Sequence, residues 1–347
     1  MIEPATRNVG PGAHAAPGPR RRALGLVIAL VLLVTIFVLS VMIGSTSISP
    51  SVAWDALFRP TADIDQYAIR DFRLPRTVVG LVVGIALGLS GALMQAISRN
   101  PLADPGIFGV NAGASIAVTV AVGFLGVRDI QGYMWFAFAG ALIVTLMVLA
   151  LGSTRQGSSP VVMVIAGVCI GAVLGGAREA LQLTNSQAFD AMRSWNAGSI
   201  VGRPLEVVWP ILPLFAMAIV LGLVVARPLT AMALGDELAI AQGVRLARTR
   251  VLAIIALTLL AGGATAIAGP IGFVGLMVPH VARWIVGPHQ RWIFAYSVLL
   301  APSLLLASDI LGRVIIRPGE ISVGVVTAFV GAPVLIALVL RKRASGL

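Results

Sequence analysis

The sequence predicts an all-α polytopic membrane protein with about ten transmembrane helices and both termini in the cytoplasm. Hydrophobic residues make up 58% of the composition and charged residues 11%, with a mean hydropathy of +0.97. Such a chain has too few polar groups to cover the surface of a soluble domain. Its apolar runs are close to the length that crosses a bilayer as a helix, whereas membrane β-barrels show short alternating segments.

The chain begins with a stretch, residues 1–22, that is rich in Pro, Gly and Ala and ends in three arginines. We interpret it as a disordered cytoplasmic tail. The apolar run that follows is too long for the core of a signal peptide and has no good cleavage site, so it is predicted to be the first span of a single permease domain, 23–347. The predicted spans are 23–44, 77–97, 107–126, 132–152, 160–182, 206–226, 251–269, 271–287, 292–312 and 321–340.

The distribution of charge supports this count and orientation. With both termini inside, the inner segments hold 15 of the 25 Lys and Arg residues and four of the 14 Asp and Glu residues, so the whole net charge of +11 lies inside. The outer segments balance at ten positive and ten negative residues. Excess Lys and Arg in cytoplasmic loops is the expected bias of a multi-pass protein, and it explains the charge without nucleic acid.

The strongest polar interruption in the middle of the chain is the segment 228–250 on the inner side. Gly235 precedes a short predicted helix, Asp236 and Glu237 fill its first turn, and Gly243 follows its end just after Ala241, as expected of helix boundaries. A short polar helix between two spans could dock into a groove on a soluble partner and carry its motion into the membrane. The alternative is a solvated loop.

Two spans carry glycine at four-residue spacing, which lets helix backbones approach closely in lipid. We expect tight helix packing at these positions, with substrate contact as the alternative. The glycines are Gly80, Gly84 and Gly88 in the second span and Gly167, Gly171 and Gly175 in the fifth.

Few residues have the pattern of a catalytic or metal site. The single cysteine lies in an apolar run and the three histidines are scattered, so neither a disulfide framework nor a metal site is predicted. The single lysine, Lys342, lies in the C-terminal tail, so no P-loop exists and any ATP must be bound by another chain. Away from their ends, the spans are almost free of charge, unlike those of most proton-coupled carriers.

Several motifs together resemble the FecCD family, the permease subunits of type II ABC importers for iron–siderophore complexes, haem and cobalamin. They follow one another in the family's order from about residue 70 to 340. The matching segments are 73–76 (RLPR), 90–95 (SGALMQ), 99–106 (RNPLADPG), 234–236 (LGD), 268–276 (AGPIGFVGL), 279–280 (PH), 324–328 (GVVTA) and 331–333 (GAP).

The resemblance implies roles for particular residues. In the segment 228–250, Gly235, Asp236 and Glu237 stand where the family has its ATPase-coupling helix, with Asp in place of the usual Glu at 236. The other implied roles are docking of the substrate-binding protein by Arg73, Arg76 and Arg313, and an inner translocation gate at Asn100 and Leu102, with Ser158 and Ser159 as looser matches.

Three arginines near the start of the second span, Arg70, Arg73 and Arg76, also have an interpretation that does not depend on the resemblance. Arg73 and Arg76 lie at the start of a helix, where the positive helix dipole adds to an anion-binding patch. They would suit the surface carboxylates of a soluble partner, or they would anchor the chain at lipid headgroups.

The resemblance also implies the protein's partners and location. It predicts a multi-pass subunit of the cytoplasmic (inner) membrane that works with ABC ATPase subunits, a periplasmic or lipid-anchored binding protein and a second permease, in a homo- or heterodimer. This chain binds no cofactor, and ATP-Mg belongs to the partner ATPase.

Within the family, the residues of segments 110–115, 247–249 and 280–284 are most similar to those of ferric-enterobactin permease subunits. This similarity suggests a catecholate siderophore as the substrate. Haem or cobalamin import, an ion-coupled carrier, an exporter of the same class and a membrane-embedded enzyme are the alternatives.

Overall fold

The structure is a computed structural model that describes residues 18–344 except 45–47, 60, 62, 155–156 and 159. For residues 50, 57, 153–154, 157–158, 160, 191 and 338–344 only the backbone is described. The predicted tail therefore lies outside the described residues, apart from its last part. There the prediction was wrong, because the first helix begins at Pro19 and includes all three arginines.

Within this part of the chain the fold is helical, with one two-stranded hairpin, β1 (Ser153–Thr154) and β2 (Gly157–Ser158). The α-helices are α1 (Pro19–Met42), α2 (Pro50–Phe58), α3 (Ile64–Tyr67), α4 (Leu74–Ser98), α5 (Val110–Gly123), α6 (Ile130–Gly152), α7 (Pro160–Thr184), α8 (Ser186–Asn196), α9 (Leu212–Met232), α10 (Asp236–Ala241), α11 (Leu246–Ala268), α12 (Val274–Val286), α13 (Gln290–Ile315) and α14 (Val323–Ala344).

Ten of these helices overlap the ten predicted spans. Seven of them, in the described residues, are long and apolar enough to cross a membrane, and α5, α12 and α14 are shorter apolar helices. Helix α5 is short because the chain enters it through a separate 3₁₀ turn, Pro105–Phe108. Helix α12 is short because residues 269–273 form an irregular break, which lipid would not tolerate but surrounding protein does.

Side-chain contacts place the loops at two opposite ends, as the charge distribution predicted. Arg99, after α4, pairs with Asp236 in α10, so these two inner segments meet at one end. At the other end, Arg76 of α4 pairs with Glu320, and Arg313 of α13 binds the backbone of Ile43 after α1. The contacts are therefore consistent with cytoplasmic termini and an even number of spans.

Helix α4 lies at the centre of the bundle against α13. Its glycines form the predicted close approach, because a Cβ at Gly84 would overlap the backbone of Pro302 and one at Gly88 would overlap Ala301. Gly80 similarly meets Leu306. In lipid, helices associate through close van der Waals packing, because the hydrophobic effect does not favour one apolar contact over another. The predicted close packing is confirmed for this helix.

The same prediction is only partly right for α7. Gly167 packs against the carbonyl oxygen of Ile107, but Gly171 has one neighbour at ordinary distance and Gly175 has open space where a Cβ would be. Helix α7 is also the least buried of the long apolar helices, with 11% of its most apolar window buried inside the chain. Its glycines share a spacing but not a function.

Proline does not end α9 or α12. Helix α9 continues through Pro228 to Met232, past the predicted span end at residue 226, so the polar segment 228–250 begins inside a helix. Helix α12 continues through Pro279. Neighbouring helices can compensate the backbone bonds that proline removes inside a membrane bundle. The outer helices α2, α3 and α8 were not predicted at all.

Candidate functional site

The polar segment forms the predicted short helix at the inner end. Helix α10 begins after Gly235, whose φ of 121° suits glycine, and Gly243 with φ 80° follows it. Ala239 is fully buried on one side, whereas Leu234, Leu238 and Ile240 are 64%, 55% and 59% exposed. Glu237 and Ala241 are exposed with them. The helix therefore presents apolar and acidic side chains outward, as a docking helix would.

Asp236, whose side chain is 39% exposed, is bonded to two neighbouring segments. One of its carboxylate oxygens accepts a hydrogen bond from Arg99, and the other accepts one from Arg250 Nη2 at 2.9 Å. Arg99 follows α4 in a left-handed conformation with φ 53°, and Arg250 lies near the start of α11. The carboxylate thus ties α10 to the ends of two long helices, and charge-assisted bonds of this kind are the stronger class.

The predicted gate residues continue directly from Arg99. Asn100 Oδ1 accepts a hydrogen bond from Leu102 N at 2.9 Å, and Asp104 Oδ1 accepts one from Gly106 N at 2.7 Å. Leu102 is 38% exposed at the inner end. Ser158 lies in the β1–β2 hairpin with only its backbone described, and Ser159 lies outside the described residues. The structure therefore connects Asn100 and Leu102 to α10 through Arg99.

The three predicted docking arginines lie together at the outer end, but they are buried. Arg73, Arg76 and Arg313 are 7%, 8% and 1% exposed. Arg76 contacts Asp309 and Glu320 with N–O distances of 2.6 Å, and Arg313 also pairs with Asp309. A cavity of about 640 Å³ lies beside the three arginines and Glu320.

These contacts correct the expectation of an open anion-binding patch. Arg313 donates to the carbonyl oxygens of Ser40 and Ile43 at 2.6 and 2.9 Å, and Arg73 donates to that of Met42 at 2.7 Å. The arginines therefore hold the outer end of α1 against α4 and α13. Docking of a partner at their cavity stays a prediction.

Asp309 is the centre of this cluster, and the sequence analysis did not predict a role for it. It is fully buried between Arg76 and Arg313. Its spacing of four residues before Arg313, inside an apolar run, is a signal that could have found it. Glu320 gave no such local signal, since its partner Arg76 is 244 positions away in the sequence. Arg250 and Asp236 both lie in the polar segment, but their spacing of 14 residues gives no helix-turn signal for a pair.

Comparison with known proteins decides the family. The sequence model of the FecCD transport family matches residues 32–341. The chain belongs to the FecCD transport family. The FecCD proteins it resembles are permease subunits of ABC importers.

Two relatives align with nearly the whole of this chain. The chain is 46% identical over 326 residues to the ferric enterobactin transport system permease protein FepD of Escherichia coli (strain K12), covering 94% of this chain and 97% of that protein. It is 32% identical over 319 residues to the hemin transport system permease protein HmuU of Yersinia pestis, covering 90% and 94%.

A solved structure shares the FecCD fold. An inward-facing structure described as a metal-chelate type ABC transporter superposes with a TM-score of 0.80 at 27% identity, covering 92% of this chain and 99% of that one. With these relatives and its apolar helices, the chain is a multi-pass FecCD permease of the cytoplasmic membrane.

Proposed function

We propose that this chain is the permease subunit of an ATP-driven importer that moves a ferric siderophore, of the enterobactin type, across the cytoplasmic membrane. The observation that carries the proposal is the position of α10. It exposes Leu238 and Ile240, while Asp236 joins it to the segment that leads into the gate. The ferric enterobactin permease among the relatives supports the cargo class.

The driving force comes from separate ATPase subunits, which bind ATP-Mg. The single lysine of the chain, in its C-terminal tail, is not preceded by a glycine-rich loop. When the ATPases close on ATP, their motion reaches α10 through its exposed face. Because Asp236 is bonded to Arg99 and Arg250, displacement of α10 moves the ends of α4 and α11 as well.

The translocation path runs between this chain and a second permease subunit, identical or homologous to it. Helix α7 supports this arrangement, since Val161, Val168 and Val173 are 67%, 59% and 72% exposed along it. The inner end of the path is closed by Asn100 and Leu102, together with the Ser158–Ser159 segment before α7. A loaded binding protein docks over the outer cavity beside Arg73 and Arg76.

Uptake by the reconstituted importer tests the proposal. Proteoliposomes that contain the chain with its ATPase and second permease, supplied with binding protein, should import ferric enterobactin only when ATP is present on the ATPase side. An ATPase variant that cannot hydrolyse ATP is the control. Uptake that ignores ATP and collapses with the ion gradient would show an ion-coupled carrier instead.

Haem is the second candidate cargo, because the hemin permease of Yersinia pestis is also similar to this chain. Growth of a deletion strain on purified ferric siderophores, ferric citrate and haem as single iron sources separates the two. Failure on ferric enterobactin alone supports the proposed cargo, and failure on haem alone rejects it.

A further inference from the structure

A hollow of about 250 Å³ lies on the uncovered side of α7, between that helix and α5. Pro270, in the break before α12, closes one side of it. Val168, one turn before Gly171 on α7, is 59% exposed. The lining of the hollow is mainly apolar and includes Ala112 and Leu174, with polar groups contributed by Asn111, Ser115, Arg178 and Asn196.

Arg178 is the one charged residue that lines the hollow, and its charge is poorly compensated within the described part of the chain. Its only ion pair there is with its sequence neighbour Glu179 at 3.4 Å, and the Glu179 side chain is 64% exposed. Arg178 Nε is buried without a hydrogen-bond partner. By contrast, Arg76 at the same end of the bundle has carboxylate contacts at 2.6 Å. The Arg178 guanidinium therefore has donors left for another anion.

Placing the charged Arg178 side chain inside a membrane-spanning helix costs free energy, so such a charge usually has a function. Arg178 lies six residues before the end of α7 at Thr184, which is about 9 Å along the helix axis at 1.5 Å per residue. The side chain is thus in the outer part of the span, with 26% of its surface exposed. Ionisable residues inside spans usually face a cavity and mark a substrate path.

The two glycines keep the hollow open rather than bring helices together. A Cβ at Gly175 would have nothing within 4 Å, and one at Gly171 would meet only Ala112 Cβ at 3.9 Å. Packing within this chain therefore does not require glycine at 175. A larger side chain there would project into the space beside Arg178.

Asn111 and Asn196 add amide groups to the walls. Asn111 Oδ1 accepts a hydrogen bond from Thr265 Oγ1 at 3.1 Å, which fixes the orientation of its side chain. The amide nitrogen of Asn111 is then a donor on the same wall. The hollow combines one guanidinium with two neutral side-chain amides, and the guanidinium is the group that suits an anion with several oxygen atoms.

We propose that this hollow is an anion-binding subsite for the iron chelate on its way through the membrane, with Arg178 contacting its negatively charged catecholate or carboxylate oxygens. The inference rests on the proposed function, because it requires a ferric chelate in the path beside α7. A single arginine attracts a polyanionic chelate that apolar walls would repel. Because only one charge is present, the chelate is not held so tightly that release becomes slow.

The test uses the complete importer in proteoliposomes and ferric enterobactin, a trianionic tris-catecholate, as the probe. The variants are Arg178→Gln, which removes the charge, and Arg178→Lys, which keeps it. Arg193→Gln is the matched control, since Arg193 is an exposed arginine on the outer helix α8. Initial uptake rates and ATP hydrolysis stimulated by the loaded binding protein are both measured.

We expect Arg178→Gln to lower uptake about tenfold, the scale of one charge-assisted hydrogen bond. Arg178→Lys should retain at least a third of the wild-type rate, and Arg193→Gln all of it. Stimulated ATP hydrolysis should stay within twofold throughout, because docking and coupling are intact. Wild-type uptake by Arg178→Gln, or equal loss in the Lys and Gln variants, overturns the subsite.

A second variant decides the matter if Arg178→Gln does not assemble. Gly175→Leu leaves the charge and fills the hollow, and the open space at that position permits folding. Loss of uptake by the assembled Gly175→Leu importer supports the subsite, and normal uptake overturns it. If the wild-type importer itself shows no ATP-dependent uptake, the proposed function fails instead, whatever the variants do.

Discussion

Asp236 Oδ2 accepts a hydrogen bond from Arg250 Nη2 at 2.9 Å, which ties the first residue of α10 to the start of α11. The other carboxylate oxygen binds Arg99, at the end of α4. Arg99 is 137 positions before Asp236 in the sequence, and Arg250 is 14 positions after it, yet the three residues meet at one point. This point connects the exposed coupling helix with the segment that contains Asn100 and Leu102.

Breaking this connection should uncouple ATP hydrolysis from import. We expect Asp236→Asn to reduce the amount of ferric chelate imported per ATP about three- to tenfold, because a weakened bond of about 1 kcal/mol lets α10 move without α4. Glu237→Gln, on the exposed side of the same turn, is the control and should change the ratio less. Adding Arg99→Gln to Asp236→Asn should cause little further loss, since both remove one interaction. Unchanged coupling in Asp236→Asn would show that the carboxylate has no part in transmission.

Asp309 should be needed for the stability of the outer end. Asp309→Asn keeps the volume but leaves Arg76 and Arg313 buried beside a neutral amide. Breaking a buried ion pair in this way costs about 3–5 kcal/mol. The purified variant should unfold at a clearly lower temperature than the wild type, with Glu179→Gln as a control at an exposed carboxylate. An unchanged melting temperature would mean that the cluster does not stabilise the fold.

Docking of the binding protein at the outer cavity is predicted to depend on Arg73 and Arg76. Replacing both by Glu should weaken binding of the loaded binding protein to the purified importer by tenfold or more, since attraction becomes repulsion. Arg128→Glu changes an exposed arginine of the outer face and should have a smaller effect. Because Arg76 also holds Asp309, the melting temperature must be measured on the same samples. Unchanged affinity in a folded double variant removes these residues from the docking site.

Close packing of α4 against α12 predicts that Gly91 tolerates no side chain. A Cβ at Gly91 would overlap the carbonyl group and Cα of Gly275, and backbone cannot rotate away. Gly91→Ala should lower the free energy of unfolding by about 1–3 kcal/mol. Gly176→Ala is the matched control, because nothing lies within 4 Å of that position, and it should be neutral or slightly stabilising. Equal stability of the two variants in a thermal melt would contradict the packing.

The inner loop should respond to pH through Asp104. Burial raises the pKa of its carboxyl group, while the hydrogen bond from Gly106 N opposes that effect. A raised pKa means that the folded state favours the protonated acid, so this stabilisation is present at low pH and is lost as pH rises through the folded-state pKa. Asp104→Asn keeps the acceptor and stays neutral. It should raise the melting temperature at pH 7.5 by a few degrees, about 1 kcal/mol, and by less at pH 5. A gain that does not shrink on acidification would refute this account.

The sequence alone determined the fold class, the number and orientation of the apolar spans, and the position of α10. These depend on local composition: apolar runs long enough for lipid, arginines and lysines on one side, and glycines on either side of a short acidic turn. The motifs also determined the family, since each is a short contiguous stretch. Helix ends were less predictable: α9 continues past its predicted end at residue 226 through Pro228, which would break an isolated helix but is accommodated in the bundle.

Only the tertiary structure decided which charges meet. The sequence predicted that Arg73, Arg76 and Arg313 bind carboxylates of a partner protein. In the structure, Arg76 and Arg313 both pair with Asp309 of the same chain. The equally spaced glycines of α4 and α7 proved to do different things, because one helix is central and the other is largely uncovered. An ion pair between distant segments, or the open space beside a glycine, depends on which helices are neighbours. The packing of the whole chain determines which helices are neighbours, and no local sequence pattern predicts this.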